Sequence, residues 1–530
     1  MALRRLALRV FDSSRCKSVV ICTALAFGLA GCASLPTHVD RVPSQAKDGS
    51  GTALGAIVNR VLPGDPLLTV SGFRLLPTGA YALDARMALA ERAERTLDVQ
   101  YYLIANDSTG KQFLAALRDA AKRGVRVRLL LDDFYTAGED GFLSGLADYP
   151  NVEIRLFNPL PAGRGMMATR ILSSLGDLPR INRRMHNKLF IADNSISISG
   201  GRNIADGYFT HSGTDSFLDL DLLSAGPVVK TLSAVFDTYW NSDVVYPFKS
   251  IVEPPADHAA ARAAFDTDVA DAATPAPLAS TDALGHRPVS SDLQSGDMEL
   301  HQAIAQVLAD PPQKAMGLDA DTIQGTVSWH VDDAFGAAKS ELLIVSPYFV
   351  PGKLGMREIR DAVARGVKVT VVTNSLAATD VPLVYVGYRR DRLELLKLGV
   401  KIYELSEAEV SEHVRLGDFR SQLGHLHIKT VVIDGHLVFV GSMNMDERSA
   451  HENTETGVIL ESQTFAGEVK NLIDGHIKAR SYEVRLQDGH LIWVINTEGQ
   501  EKVLTDEPDV SMFEKIYLDV LAPFAPEKLL

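Results

Sequence analysis

The chain has 530 residues, enough for two or three domains with large buried cores. Its formal net charge is −14, and residues 32–530 carry −18 because residues 1–31 contribute +4. Such an acidic body lacks the clustered Lys and Arg that neutralise nucleic-acid phosphates. We therefore expect no nucleic-acid partner, although a local basic site is not excluded.

The N-terminus has the pattern of an export signal. Residues 1–17 are basic and the twelve residues 19–30 are apolar, which is too short for a spanning helix of about 20 residues. The run ends Leu-Ala-Gly-Cys32 and resembles the lipobox of bacterial lipoproteins. This predicts a signal peptide over 1–31 and lipidation at Cys32. An ordinary signal with a chance cysteine, or an uncleaved anchor, is the alternative.

Two further expectations follow from this N-terminus. Ala33, rather than Asp, follows Cys32, which by resemblance to lipoprotein sorting implies an outer-membrane lipoprotein facing the periplasm. Residues 32–65 are polar and predict a tether. All three cysteines lie at or before Cys32, so the remaining chain holds no intrachain disulfide and no thiolate metal site.

Helical and strand patterns alternate through a first domain, predicted over residues 66–250. Helices are expected over 78–95 and 111–123, and strands over 97–103, 125–131 and 152–157. This alternation is typical of βαβ units with a parallel or mixed sheet. We therefore predict an α/β fold.

The second half repeats the first. A strand (341–345), a helix (354–365) and a strand (367–372) follow in the same order, and Gly124 and Gly366 stop equivalent helices 242 residues apart. Residues 251–300, rich in Ala, Asp, Pro and Ser, predict a linker or poorly ordered insertion before a second domain over 301–530. A hairpin around Asp488-Gly489 and a helix over 510–522 are expected near the end.

A motif for phosphate chemistry occurs once in each half, 241 residues apart. Its His, Lys, Asp and Asn have identical spacing in the two copies. The first copy is His186, Lys188, Asp193 and Asn203; the second is His427, Lys429, Asp434 and Asn444. The His and Lys are two residues apart in a predicted strand, so both side chains face one side. A duplicated pseudo-twofold fold can bring both pairs to one interface.

These residue types suit a two-step displacement at phosphorus. One neutral imidazole attacks, and the other protonates the leaving alkoxide and then deprotonates the incoming water or alcohol. Lysine and asparagine side chains hold the nonbridging oxygens, so the site needs no metal or other cofactor. A carboxylate at each imidazole Nδ1 would fix its tautomer. The downstream candidates are Asp219 and Glu455.

The motif H-x-K-x4-D followed by G-[GS]-x-N resembles the phospholipase D superfamily, in both copies. The segments 184–190 and 200–209 are most similar to the cardiolipin synthase C type of bacterial lipid enzyme. This resemblance implies two mixed sheets flanked by helices and one shared site, with His186 as nucleophile and His427 as acid/base. It places Asp193 and Asp434 in the catalytic motif, where they either act in catalysis or support the motif structurally.

The resemblance also implies phospholipid substrates at a membrane surface. A phosphatidyl group would pass through a phosphatidyl-histidine to phosphatidylglycerol and yield cardiolipin, with phosphatidylethanolamine as another candidate substrate. Hydrolysis to phosphatidic acid is the alternative, and a noncatalytic lipid-binding lipoprotein or a nuclease is less favoured. His425 and His427 have the spacing of two strand metal ligands, but no third ligand is evident. A further His-x-Lys at His476 lacks the rest of the motif and is expected on a helix surface.

The segment 159–185, just before His186, is locally basic. It carries five arginines against Asp177 alone, with Met, Ile and Leu interleaved. Two interpretations stay open: a membrane-facing lid or guide for anionic headgroups, and a solvated loop with a short helix packed on the body.

Overall fold

The computed structural model describes residues 35–62, 70–209, 217–272, 277–317, 324–406, 424–497 and 499–522. The predicted signal peptide and Cys32 lie outside these residues. The strands are β1 (Val70–Leu76), β2 (Thr96–Tyr101), β3 (Arg126–Asp132), β4 (Val152–Phe157), β5 (Leu189–Ala192), β6 (Ile196–Gly200), β7 (Phe217–Leu218), β8 (Asp221–Ala225), β9 (Val245–Pro247), β10 (His301–Ala309), β11 (Glu341–Val345), β12 (Lys368–Asn374), β13 (Lys401–Leu405), β14 (His425–Leu426), β15 (Thr430–Ile433), β16 (Leu437–Gly441), β17 (Thr456–Glu461), β18 (Ser481–Gln487), β19 (His490–Thr497) and β20 (Gln500–Leu504).

The α-helices alternate with these strands along the chain. Their bounds are Ala53–Val61, Gly79–Arg92, Ser108–Lys122, Asp140–Ala147, Met167–Ser173, Leu178–Asn182, Asp206–Phe209, Pro227–Trp240, Phe248–Ile251, His258–Ala270, Val289–Ser295, Val327–Ala337, Gly352–Ala364, Pro382–Leu398, Glu447–His451, Gln463–Leu472 and Met512–Leu521. Within the part of the chain that the structure describes, none of them is long and apolar enough to span a bilayer.

Eighteen of the described strands form one mixed sheet that runs through both halves. The pairings give the order β9-β4-β3-β2-β5-β6-β8-β1-β10-β17-β16-β15-β11-β12-β13-β18-β19-β20. The pseudo-twofold axis lies between β1 and β10, which pair antiparallel with Val70 opposite Ile304. The mixed α/β sheet with a duplicated arrangement was predicted, whereas these two central strands were not.

The repeated elements confirm the sequence patterns to within a few residues. Strands β4 and β11 have the predicted bounds, and the helices Gly79–Arg92 and Gly352–Ala364 are slightly shifted or shorter. The hairpin β18–β19 turns at Asp488 and Gly489, both with positive φ, as that dipeptide favours. Apolar residues from both halves, among them Leu220 and Ile428, share one buried core cluster beneath the central strands.

Two segments differ from expectation because a few apolar residues suffice to pack them. In the predicted linker 251–300, the helices His258–Ala270 and Val289–Ser295 bury Phe265 and Leu293. In the predicted tether 32–65, Thr52 caps the helix Ala53–Val61, which buries Leu54 and Ile57 against the body. The described parts of both segments therefore belong to the folded body.

Candidate active site

The two histidine segments lie immediately before β5 and β15, rather than within a strand. His186 N donates to Thr454 O at 2.9 Å, and His427 N donates to Leu218 O at 2.7 Å. Each segment thus crosses the boundary between the halves and pairs with backbone of the opposite half. The two motifs therefore lie at one interface between the halves, as predicted.

Polar residues at the carboxyl ends of β3 and β12 also bind the histidine segments, each within its own half of the chain. Asp132 accepts from Met185 N at 2.8 Å, and Asn374 accepts from Leu426 N at 2.8 Å. Asn374 also donates to Leu426 O at 3.0 Å. The two residues are 242 apart and perform equivalent tasks, fixing the backbone one residue before each histidine.

Each imidazole binds a carboxylate from the opposite half of the chain. His186 Nδ1 lies 3.0 Å from Glu455 Oε2, and His427 Nδ1 lies 2.6 Å from Asp219 Oδ2. All four side chains are buried. An imidazole bonded through Nδ1 keeps its Nε2 for chemistry. The sequence named both carboxylates but not the exchange between halves, which no local pattern encodes.

The second residue of each G-[GS]-x-N segment, Gly201 or Ser442, lies directly beside the carboxylate of its own half of the chain. A Cβ on Gly201 would lie 2.1 Å from Asp219 Oδ1, so only glycine leaves room there. Ser442 occupies the equivalent position in the second copy, and its hydroxyl donates to Glu455 Oε2. Ser449 donates to Glu455 Oε1 at 2.9 Å. Sequence reasoning assigned no role to these two serines.

The two lysines occupy equivalent buried positions. Lys188 Nζ donates to His186 O and Lys429 Nζ donates to His427 O, each at 2.7 Å. An ammonium has three donors, so this bond leaves capacity for a phosphate oxygen. Asn203 and Asn444 are also buried, and Asn203 Nδ2 contacts Tyr208 Oη at 3.0 Å.

Burial lowers the pKa of both histidines and both lysines of this site. Desolvation lowers the pKa of His186 to about 4, against the opposing attraction of Glu455. Burial and the nearby Lys429 lower the pKa of His427 well below its usual value. Desolvation also lowers the pKa of Lys188 to about 7 and that of Lys429 to about 8. Both imidazoles are therefore neutral at neutral pH before an anion binds.

Aromatic rings contribute to that burial. Tyr102 packs edge-on to His186 with ring centroids 5.3 Å apart, and Tyr208 packs edge-on to His427 at 5.2 Å. Phe217 adds a second ring at 5.4 Å from His427. Rings at these distances exclude water and restrict the imidazole orientation.

Asp193 and Asp434 bind backbone N–H groups at the start of a neighbouring strand, an arrangement that favours the structural alternative for these two residues. Asp193 accepts the backbone N–H groups of Glu94, Arg95 and Thr96 at 2.7–2.9 Å. Asp434 accepts those of residues 339–341 at 2.7–3.1 Å. Both carboxylates sit at the start of β2 or β11, about a strand length, roughly 15 Å, from the end that carries the histidines.

Two other histidines that the sequence singled out are His425 and His476. His425 Nδ1 contacts Ala378 O at 2.7 Å, which occupies one of its two ring nitrogens. Within the described ranges, the one group of three potential metal ligands with close ligand atoms is His286, His301 and Glu468, which includes neither His425 nor His427. His476 lies on the π-helical turn Ile473–Ile477, as its pattern predicted.

Comparisons with known proteins agree with this geometry. The family model described as "Cardiolipin synthase, PLD-like domain" matches residues 87–240 and 331–477. Cardiolipin synthase C of Escherichia coli K12 is 37% identical over 465 residues, covering 85% of this chain and 94% of that protein. Cardiolipin synthase A of Pseudomonas putida GB-1 is 26% identical, covering 80% and 72% respectively.

A solved structure shares the fold. The phosphatidylserine synthase of Haemophilus influenzae Rd KW20 aligns with a TM-score of 0.55 at 13% identity. The alignment covers 90% of this chain and all of that one. At this identity the likeness concerns the fold alone.

Proposed function

Because the chain belongs to the cardiolipin synthase family with phospholipase D-like domains, we propose that it transfers a phosphatidyl group between membrane phospholipids and so makes cardiolipin. The observation that carries the proposal is the pair of imidazoles, each oriented through Nδ1 by a buried carboxylate. Two such groups at one phosphate supply a nucleophile and a proton carrier.

In the first step, Nε2 of His186 attacks the phosphorus of a phosphatidylglycerol. The P–O bond to the headgroup glycerol breaks, and His427 Nε2–H gives its proton to the departing alkoxide. The negative charge of the bound phosphodiester favours protonation of His427 beforehand, opposing the effect of burial. The product is a phosphatidyl-His186 and free glycerol.

In the second step, His427 Nε2 removes the proton from a headgroup hydroxyl of a second phosphatidylglycerol. The resulting oxygen attacks phosphorus, the P–N bond to His186 breaks, and cardiolipin leaves with both histidines restored. Lys188, Lys429, Asn203 and Asn444 bind the nonbridging oxygens through both steps. If water replaces the lipid alcohol, the same chemistry gives phosphatidic acid.

Attachment to the membrane is part of the same proposal. We infer that Cys32 is the lipidated N-terminus of an outer-membrane lipoprotein facing the periplasm, as the lipobox-like segment indicates. Family membership supports membrane association in general. The substrates would then be lipids of the leaflet to which the chain is attached.

The test is product analysis with the purified full chain and labelled phosphatidylglycerol, with and without phosphatidylethanolamine. We expect cardiolipin, retained activity in chelator, and loss of turnover in His186→Ala and His427→Ala. His476→Ala is the matched control, because it removes a His-x-Lys histidine on a helix outside the site. Phosphatidic acid as the main product would select hydrolysis, and no product would select a noncatalytic role.

A further inference from the structure

The segment from Met166 to Leu178 exposes an unusual number of apolar side chains. Its helix Met167–Ser173, a 3₁₀ turn and the start of the next helix present five large apolar residues to solvent, with exposures between 39% and 69%. They are Met166, Ile171, Leu172, Leu175 and Leu178, and we call this set the apolar tip.

The five arginines of the longer segment 159–185 are buried or paired with acidic residues. Arg170 is fully buried and donates to the carbonyls of Asp133 and Phe134. Arg164 forms ion pairs with Asp133 and Asp140 at 2.9 and 2.7 Å.

The other three arginines bind acidic partners. Arg180 pairs with Asp177, Arg183 with Glu452 and Arg184 with Asp132, at 2.7, 2.9 and 3.3 Å. Arg170 and Arg184 are buried in the body, and Arg180 forms a surface pair with the exposed Asp177. The large apolar residues of the tip face outward instead of packing inward. These paired arginines do not form a guide for anionic headgroups, which was one interpretation of the segment 159–185.

The apolar tip is connected to the catalytic histidine through aromatic rings. Arg170 binds Phe134 O, and the neighbouring Tyr135, which is 40% exposed, packs edge-on to Tyr102 at 5.1 Å. Tyr102 packs in turn on His186. The chain itself continues from the tip through Arg183 and Arg184 to His186. A lipid held at the tip would therefore lie on the Tyr135–Tyr102 side of His186.

The N-terminal segment reaches the same side of the molecule. Leu35, the first described residue, lines a cavity together with Leu160, Ser173, Asp177 and Arg180. The proposed lipidation site, Cys32, precedes Leu35 by three residues in the sequence. The proposed lipid anchor and the apolar tip would therefore meet the same surface.

We propose that the apolar tip, with Tyr135 at its edge, docks into the interfacial region of a phospholipid bilayer and presents the active-site entrance to that leaflet. The inference rests on the proposed function, since both the lipid substrate and the anchor identify the occupant as a bilayer. Two short helices with outward leucines fit an interfacial insertion of about 5–10 Å.

Because the arginines are already paired, the attraction is hydrophobic and should depend little on salt. Replacing Leu172 and Leu175 by Ser removes two of the three leucines of the tip. We expect each replacement to weaken docking about tenfold. We expect kcat/KM of the full chain on phosphatidylglycerol vesicles to fall up to about 100-fold. The ratio of kcat/KM between the parent and the Leu172/Leu175 variant should be the same at low and high salt.

Two controls separate docking from catalysis. The variant Phe513→Ser/Ile516→Ser removes two apolar residues of the C-terminal helix Met512–Leu521 that are, as a pair, at least as exposed as Leu172 and Leu175, and it should not change vesicle turnover. A short-chain phosphatidylglycerol below its critical micelle concentration should be turned over equally by the parent and the Leu172/Leu175 variant. Equal losses on vesicle and monomeric substrate, or an unaffected Leu172/Leu175 variant, would overturn the proposal.

A depth measurement tests docking without relying on activity. A fluorescent label on Leu175→Cys in the full chain should be quenched by lipids carrying a spin label near the headgroup, and a label on Phe513→Cys should not. The unsubstituted chain, treated identically, gives the background from its own cysteines. Absence of turnover in the parent on every substrate would refute the proposed function, whereas absence of quenching at position 175 would refute docking.

Discussion

Gly201 allows the sharpest test of the exchanged carboxylates. In Gly201→Ala the new Cβ would lie 2.1 Å from Asp219 Oδ1, whereas ordinary contacts begin near 3.4 Å. The carboxylate must retreat by roughly 1 Å. The 2.6 Å bond to His427 then lengthens beyond hydrogen-bond range.

The expected loss follows from that displacement. A misplacement of about 1 Å can cost roughly 10²-fold in rate, and loss of an orienting carboxylate in a related triad costs about 10⁴-fold. We expect kcat for cardiolipin formation to fall between these values, about 3 to 5.5 kcal/mol of barrier. The measurement is product formation from labelled phosphatidylglycerol, with the thermal unfolding midpoint recorded for each variant.

Gly467→Ala is the control, because it lies in the helix Gln463–Leu472, where an added Cβ would meet no atom within 4 Å, and it should leave activity unchanged. Ser442→Gly, which introduces the first-copy residue into the second copy, should cost less than Gly201→Ala because it removes a donor without a clash. The reasoning fails if Gly201→Ala keeps kcat within threefold while Asp219→Asn loses most of it.

Three other measurements follow from the structure. In the pH profile, kcat/KM should rise as His186 becomes neutral above a pKa of about 4. It should fall as His427, whose pKa lies well below its usual value, loses its proton, and fall further as Lys188 and Lys429 lose theirs at about 7 and 8; a flat profile from pH 5 to 10 would contradict this. Backbone hydrogen bonds lower the pKa of Asp434 to about 2, so its contribution to stability is present above about 3.8 and lost as pH falls toward 2. Asp434→Ala should therefore lower the free energy of unfolding by about 1–2 kcal/mol at neutral pH and by much less at pH 2. The kcat of the folded enzyme should stay nearly unchanged, and a complete loss of kcat would indicate that Asp434 acts in catalysis. Mass spectrometry of the membrane-extracted protein should find an acylated Cys32 at the N-terminus, and a chain that retains residues 1–31 would refute the lipoprotein assignment.

The repeated motif revealed most of the site because its chemistry is local. His186, Lys188 and Asn203 lie within 18 residues, and a strand-and-turn unit brings such residues together without help from distant chain. The same local logic identified the helix ends at Gly124 and Gly366. It also allowed a framework role for Asp193, whose hydrogen bonds link neighbouring strands.

What the sequence did not reveal depends on contacts between the halves. Glu455 reaches His186 because β1 and β10 pair and join the two halves of the sheet across the pseudo-twofold axis. Strand β1 is buried on nearly its whole length, and β10 has an apolar residue, Ile304, on its exposed face, so neither sequence shows a clear alternation of apolar and polar residues. The packed helix His258–Ala270 was missed for another reason: two buried residues, Phe265 and Val269, are enough to hold it in a segment of otherwise small and polar residues.

The exchange of carboxylates within one polypeptide removes a restriction that a symmetric dimer would face. Two identical subunits must surround both imidazoles with the same groups. Here Glu455 receives two serine hydroxyls, whereas Asp219 is packed against Gly201 and receives the Leu220 N–H at 2.7 Å. A fused chain can thus adjust the basicity of the attacking imidazole and of the proton-carrying imidazole separately, which an asymmetric reaction between two lipids requires.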